Sequence, residues 1–217
     1  VVSAGHLFKN FTKKIRRKIY PLDSEHFSIY QNIYKNNLNL CKVKLTASGG
    51  PFLGKEYKSL KNISFLEASK HPKWKMGYKN SIDSATLVNK CLELIEAHYL
   101  FEIPFDKIDI RVHPEALVHS MVQYDNYVTH LNLFKNDMKI PIYNFLLISK
   151  KKTNVIHTNY YIKDYKSLNF ENVKYEIFPT YKLFKKIDKK RPQNLIKFNV
   201  GNEYAVNLFK NKIINYT

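Results

Sequence analysis

One stretch, His71 to Glu96, constrains the fold and the chemistry of this chain more than any other. Ala85, Val88, Leu92, Ile95 and Tyr99 recur at spacings of three and four, so they form one apolar stripe of an α-helix. Asp83 or Ser84 is placed to cap that helix. Thr86, Asn89, Lys90, Glu93 and Ala97 fall on the other side, which carries an amide, an ammonium and a carboxylate within about one turn. That mixture suits an anionic ligand, with donors for a phosphate and a carboxylate for a metal. A face like this is more commonly just solvated, and its Lys90–Glu93 pair is then worth roughly a few tenths of a kcal/mol. Ahead of the helix, a Pro-restrained loop from His71 to Met76 holds the only tryptophan, Trp74. It reads either as a lid or as a loop anchored by Trp74 in the core.

The 217 residues suffice for one substantial core, or one core with a smaller appendage. A hydrophobic share of 44%, with 16 Tyr and 14 Phe, excludes a disordered chain. No apolar run reaches the ~20 residues of a membrane span. The longest, Ile140 to Ile148, is interrupted by Pro141 and Asn144, so no membrane association is expected. Val1 opens the chain without an initiating Met or a secretory leader, and we read the sequence as part of something longer. Cys41 and Cys91 have neither metal-ligand nor disulfide spacing. Cys91 reads as a small buried residue, and a reducing compartment fits.

The net charge of +18 raises nucleic-acid binding as a function class. The lysines arrive with many Asn, Ile and Tyr, as AT-rich codons would give, and are spread along the chain except for a run at Lys13 to Lys18. No zinc-finger, helix-turn-helix or aromatic-basic RNA pattern accompanies them. Specific nucleic-acid binding is therefore not expected. The charge is background that also favours an anionic substrate.

In chain order, residues 1–18 suit a helix with Leu7, Phe8 and Phe11 on one side. Ile19 to His26 reads as a short strand delivering an acidic turn. With extended backbone at Asp23, Asp23 and Glu25 point to one side and repel unless a cation or a proton lies between them. A helix start, with Asp23 or Ser24 capping the helix of Phe27, Ile29, Tyr30 and Tyr34, is compatible with this. Cys41 to Thr46 alternates as a strand and enters Ala47-Ser48-Gly49-Gly50-Pro51-Phe52, whose small residues let backbone N–H groups approach a ligand. That is a weak anion signal, since ordinary turns look similar. A short helix is expected around Ser64 to Ser69. Lys107 to His113, Leu117 to Tyr124 and Tyr127 to Leu133 are further strand candidates, the last two joined at Asp125-Asn126. The prediction is an α+β (α/β-like) fold. It has a small, mostly alternating four-stranded sheet with packed helices, followed by a partial C-terminal helical region. A linker is expected at about 150–165, with helices around 180–187 and 200–212.

Six motifs then occur in one order: Pro21 to His26, Leu45 to Phe52, His71 to Gly77, Asp83 to Thr86, Asn89-Lys90 with Glu93, and His113-Pro114 with His119 to Val122. Together they make the chain resemble the 1-deoxy-D-xylulose 5-phosphate reductoisomerases, NADPH- and divalent-metal-dependent enzymes of the non-mevalonate isoprenoid pathway. The resemblance is close over residues 1–145 and loose over 165–217, and it is the register of the set that makes it specific. It implies that Asp23, Glu25 and Glu93 hold the metal and, with His71, form the catalytic set. It implies that Ser24 contacts the substrate's oxygenated backbone. Ser48, His71, Ser84, Asn89 and Lys90 would bind the substrate, mostly at its phosphate end, with Glu25 and Glu93 facing it too. Gly77 would lie against the cofactor, and Trp74 and Met76 would form the closing lid. Three carboxylates without a thiolate suit Mg²⁺ or Mn²⁺, with Co²⁺ a further candidate. The family's reaction resembles a retro-aldol/aldol shift followed by hydride transfer from NADPH, giving 2-C-methyl-D-erythritol 4-phosphate.

The resemblance also sets expectations about organisation. Residues 1–15 would be the tail of a dinucleotide-binding domain that is otherwise missing, 16–150 the metal- and substrate-binding catalytic domain, 151–165 a linker, and 166–217 a partial C-terminal helical domain. The expected partners are a phosphorylated sugar and, in the full protein, a second copy in a homodimer. The expected setting is bacterial cytoplasm, with a plastid-like organelle second. Leu133 to Lys139 departs from the family, which usually has Gly, Pro and Arg there, and Phe134 stands at a glycine position. A portion of a full-length enzyme, inactive in reduction by itself, fits better than an eroded gene, because the polar set is intact. A basic nucleic-acid module and a non-catalytic remnant are the alternatives. The first predicts salt-dependent DNA retention that survives Glu93→Gln, and the second predicts no metal-dependent thermal shift.

Overall fold

The computed structural model describes residues 1–10, 18–33, 39–73, 76–150 and 167–217. Its frame is a five-stranded mixed sheet in the order β4-β3-β1-β2-β5. The strands are β1 (Leu40–Ala47), β2 (Ile108–Val112), β3 (Val118–Tyr124), β4 (Thr129–Leu133) and the two-residue β5 (Glu171–Asn172). The four strands expected from alternation are all present, and β5 is added at the β2 edge. β1 and β2 run parallel, with Leu45 beside Ile110, and every other neighbouring pair is antiparallel.

Alternation decides which face is covered. Val43, Leu45, Ile108, Ile110 and Val122 are buried on one side, while Lys44, Asp109 and Met121 between them are only partly covered. Helices α1 (Ser24–Ile33) and α4 (Val88–Phe101) lie against the sheet, α1 on β3 and α4 on β1 and β2. Ile29 of α1 and Leu94 and Ile95 of α4 complete this core with Phe178, Tyr181, Phe184 and Leu195 from the C-terminal part of the chain. The last four come from the start and body of α6 (Pro179–Lys186) and from α7 (Pro192–Lys210), which follow α5 (Lys139–Lys150) along the chain. Burial of α4 between sheet and C-terminal helices explains why Cys91 and Leu94, outside the five-residue stripe, are also buried.

Several expectations require correction. The His71–Glu96 stretch does not carry one helix capped at Asp83 or Ser84. It forms α3 (Tyr78–Ala85) and then α4, separated by Thr86 and Leu87, and Leu87 takes a left-handed conformation (φ 64°). Asp83 and Ser84 therefore sit in the last turn of a helix instead of opening one. The expected strand at Ile19 to His26 is absent: α1 starts at Ser24, and the Asp23 carboxylate accepts the backbone N–H groups of Glu25 and His26, both at 3.1 Å. The helix-start alternative is the one realised. The N-terminal segment holds a 3₁₀ helix at Gly5–Asn10 and not an α-helix, while the rest of that expectation, from residue 11 to 17, falls outside the described residues. The short helix expected around Ser64 to Ser69 is α2 (Phe65–Ala68), which Ser64 caps in a reciprocal capping box with Glu67. The helix expected at 200–212 begins at Pro192, where proline at the first position needs no N–H partner. The linker region and the lid residue Trp74 lie outside the described residues.

Candidate functional site

β1 ends at Ala47 beside the parallel end of β2, and a crevice outside such carboxyl ends is where open α/β sheets bind ligands. Here a cavity of about 380 Å³ opens at that edge. Its wall includes Asp23, Ser24, Glu25, Ser48, His71, Met76, Gly77, Ser84, Asn89, Lys90 and Glu93. Every residue singled out for a site, Trp74 apart, meets in this one space.

Two groups of side chains divide the wall. The first is charged. The N-terminal turn of α1 supplies Asp23 and Glu25, and α4 supplies Glu93, with one oxygen from each within 4.8 Å of the others. The Lys90 ammonium reaches both oxygens of Glu93 at 2.9 Å and also binds Glu25. Asn89 donates to the same Glu93 carboxylate. The face of Asn89, Lys90 and Glu93 is therefore not a solvated one: the Lys90 and Glu93 side chains are 11% and 5% exposed. His26 closes the cluster from behind, its Nδ1 3.0 Å from the Asp23 carboxylate and its Nε2 2.8 Å from the Glu93 carbonyl oxygen.

The charge states follow from this crowding. Burial works against a charged His26, but the Asp23 carboxylate overcomes it and pushes the imidazole up to about 10, so His26 is a cation. Asp23, in turn, is held well below the usual carboxylate range, because His26 and Lys90 outweigh its desolvation. Glu93 moves the other way: burial and the neighbouring Glu25 raise it well above its ordinary value despite Lys90. Burial opposes the charge on Lys90, yet Glu25 and Glu93 keep it firmly protonated. Three carboxylates drawn together this closely favour any cation between them, and their hard oxygen donors fit a divalent ion such as Mg²⁺ or Mn²⁺.

The second group is neutral and rich in hydroxyls. Ser48 Oγ lies 3.3 Å from His71 Nε2, and His71 Nε2 lies 3.1 Å from Ser84 Oγ. Burial, with Lys90 and Lys73 nearby, lowers His71 to about 4, so the ring is neutral at ordinary pH. Local geometry explains why Ser48 meets Ser84. Gly49 and Gly50 both have positive φ, and a Cβ on Gly50 would stand 2.9 Å from the Ser84 carbonyl oxygen and 3.0 Å from Ala85 Cα. The glycine turn thus lies directly on the end of α3, where a larger residue could not.

Some of the wall has no site role assigned from the sequence, where His119 enters only as part of the sixth motif. Because β3 runs antiparallel to β1, Val118 and His119 arrive beside Thr46, whose hydroxyl donates to the Val118 carbonyl oxygen. No local pattern announces such a pairing. His119 stacks on Phe134 at 3.9 Å, which gives the departing residue Phe134 a packing role at the cavity edge. Asn80 lines the cavity one turn before Ser84, and the i, i+4 spacing would have found it had α3 been recognised. Asn136 also lines it and holds a buried side-chain oxygen without a partner.

Comparison with known proteins places this geometry in context. Residues 19–101 match the 1-deoxy-D-xylulose 5-phosphate reductoisomerase C-terminal domain, and residues 133–217 match a DXP reductoisomerase C-terminal domain. The 1-deoxy-D-xylulose 5-phosphate reductoisomerase of Clostridium kluyveri is 42% identical over 96% of this chain and 54% of its own length. That of Clostridium botulinum is 44% identical over 100% of this chain and 56% of its own length. The chain thus spans about half the length of the curated relatives it matches. Among solved structures, a DOX-P reductoisomerase in complex with NADPH, fosmidomycin and magnesium is similar with a TM-score of 0.86 and 37% identity, over 99% of this chain and 55% of the other. The Zymomonas mobilis reductoisomerase in complex with NADPH is similar with a TM-score of 0.82 and 33% identity, over 99% of this chain and 55% of the other.

Proposed function

Because the chain belongs to the 1-deoxy-D-xylulose 5-phosphate reductoisomerase family, we propose that it supplies the metal- and substrate-binding part of such an enzyme, which converts 1-deoxy-D-xylulose 5-phosphate to 2-C-methyl-D-erythritol 4-phosphate with NADPH. The observation that carries this reading is the convergence of Asp23, Glu25 and Glu93 beside the hydroxyl-rich half of the same cavity.

In this proposal the three carboxylates hold Mg²⁺ or Mn²⁺, which supplies Lewis-acid polarisation of the substrate's oxygens. Magnesium in similar reductoisomerase structures supports the assignment. Ser48, Ser84, Asn89 and Lys90 engage the phosphate, so that binding energy from the unreactive end orients the reacting carbons. His71, neutral, serves both serines as a hydrogen-bond partner without adding charge. Ser24 faces the sugar's oxygens, Gly77 lines the side assigned to NADPH, and Met76 belongs to the closing lid, to which Trp74, outside the described residues, is also assigned. Exclusion of water by that lid protects the reducing step.

The organisation proposed with it takes residues 16–150 as the catalytic unit, 151–165 as a linker, 166–217 as part of a C-terminal helical region, and 1–15 as the tail of a nucleotide-binding portion. A homodimer is the proposed assembly. It is supported by β4, an edge strand that exposes Leu131 and follows the exposed Tyr127 and Val128. Bacterial relatives support a cytoplasmic setting. No helix among the described residues is long and apolar enough to cross a membrane.

Joining the chain to the preceding half of the C. kluyveri relative and following NADPH oxidation tests the reading. Oxidation that needs both the sugar phosphate and Mg²⁺ or Mn²⁺ is expected. No oxidation above a metal-free control contradicts it.

A further inference from the structure

The elbow between α3 and α4 presents Ser84 on one side of its bend and Asn89 and Lys90 on the other. Within the elbow the restraints are short-range: the Thr86 hydroxyl donates to the Ile82 and Asp83 carbonyl oxygens and the Leu87 N–H to the Ser84 carbonyl oxygen, while Leu87 itself is left-handed. A long-range restraint comes from a part of the chain about a hundred residues later. Thr180, at the start of α6, donates its hydroxyl to the Thr86 carbonyl oxygen, inside the bend. Asn202, on α7, donates its amide to the Asp83 carboxylate at 2.8 Å. Lys79 holds the other Asp83 oxygen at 2.6 Å, and the Asp83 side chain is 2% exposed.

The face of α7 that makes this contact is otherwise apolar. Asn202, Val206 and Phe209 follow one another at spacings of four and three, and the latter two pack in one cluster with Ile82, Ala85, Phe52 and Leu60. A single amide in an apolar stripe, opposite a buried carboxylate, fixes register and angle in a way apolar contacts do not. From the opposite side the elbow is closed by Gly50, too near Ser84 and Ala85 to admit a Cβ. The elbow is therefore held between the glycine turn and the C-terminal helices.

We propose that α6 and α7 form a clamp that sets the phosphate-anchoring elbow, with Asn202 and Thr180 as positioning residues for Ser84, Asn89 and Lys90. The inference rests on the proposed phosphate site and adds its control by the C-terminal helices. It assigns Asn202 and Thr180 a role although neither lines the cavity. Misplacement of a binding group by about 1 Å is enough to cost an order of magnitude or more in productive binding.

The test is calorimetry on the 217-residue chain with Mn²⁺, 1-deoxy-D-xylulose 5-phosphate and the dephosphorylated sugar, for the unsubstituted protein, Lys90→Gln, Asn202→Leu and Thr180→Val. Asn202→Leu and Thr180→Val are each expected to raise the Kd of the sugar phosphate roughly tenfold. The Mn²⁺ affinity and the weak binding of the dephosphorylated sugar stay unchanged. The double exchange Asp83→Asn with Asn202→Asp, which reverses the hydrogen bond, restores binding. If Asn202→Leu fails to fold, Thr180→Val and the double exchange decide the matter. Sugar-phosphate affinity lost in Lys90→Gln but unaltered in Asn202→Leu and Thr180→Val overturns the clamp and leaves the phosphate site standing. A parallel loss of Mn²⁺ and dephosphorylated-sugar binding also overturns it, since that marks general destabilisation. No preference for the phosphorylated sugar in the unsubstituted protein, or none lost in Lys90→Gln, overturns the phosphate site itself and the clamp with it.

Discussion

His26 shows what a single side chain does for this site. It does not line the cavity described above, yet it joins Asp23 at the start of α1 to the carbonyl oxygen of Glu93 on α4. The Asp23 side chain is 42% exposed, so solvent screens the carboxylate that loss of His26 leaves behind. With the lost hydrogen bond to Glu93 included, His26→Leu should destabilise the protein by about 1–2 kcal/mol, read from urea unfolding midpoints. His71 makes the opposite contribution. Its proton is bound near the ordinary pKa of about 6.5 in the unfolded chain. In the folded protein it is bound only near pH 4. Between those values the unfolded state holds more protons, so stability falls as pH drops from about 6.5 towards 4. Urea unfolding of His71→Gln should show a shallower loss across that interval. An unchanged slope would mean that His71 is not the group responsible. At this scale the sequence was informative about residue type and silent about partners. Asp23, Glu25 and Glu93 could be named from their motifs. The ring of His26 bridging two of them could not, because Glu93 is 67 positions away.

Among the elements, the turn after β1 and the end of α3 depend on each other. Gly50 and Gly54 both have positive φ, but only Gly50 faces backbone within 3 Å, while a Cβ on Gly54 meets nothing within 4 Å. Gly54→Ala should cost about 1 kcal/mol for the left-handed backbone alone. Gly50→Ala should cost about 3 kcal/mol, since overpacking against backbone adds to it, and should also weaken phosphate binding. Equal effects in thermal or urea unfolding would show that the turn does not seat on α3. Strands were legible because alternation is a local pattern, and all four long ones stand where it predicts. The α3–α4 boundary was not. Leu87 has no Gly, Asn or Pro to mark it, and its left-handed conformation is compatible with its deep burial. The helix start at Ser24 was ambiguous for a different reason: Asp23 and Glu25 suit an acidic turn and a helix cap equally well.

For the whole molecule, the placement of charge matters more than its total. The net charge is +18, yet the cavity gathers three acidic side chains around Lys90 and His26. A divalent cation that binds only the folded protein at about one hundred times its Kd adds about 2.7 kcal/mol of stability. For a domain of this size that raises Tm by roughly 5–10 °C. Glu93→Gln should lose that shift while Lys185→Gln, at the distant Asp109 contact, keeps it. The meeting of α1, the β1 turn, α3 and α4 at one cavity is the least local fact in the structure. The order of motifs along the chain implied it only through resemblance. Phosphorus-31 NMR of bound 1-deoxy-D-xylulose 5-phosphate, titrated with Mn²⁺, tests the meeting of cation and phosphate most directly. Strong paramagnetic broadening of the phosphorus line in the unsubstituted protein, abolished by Glu93→Gln, is the result predicted. A line that stays sharp at saturating Mn²⁺, with the sugar phosphate demonstrably bound, would contradict it.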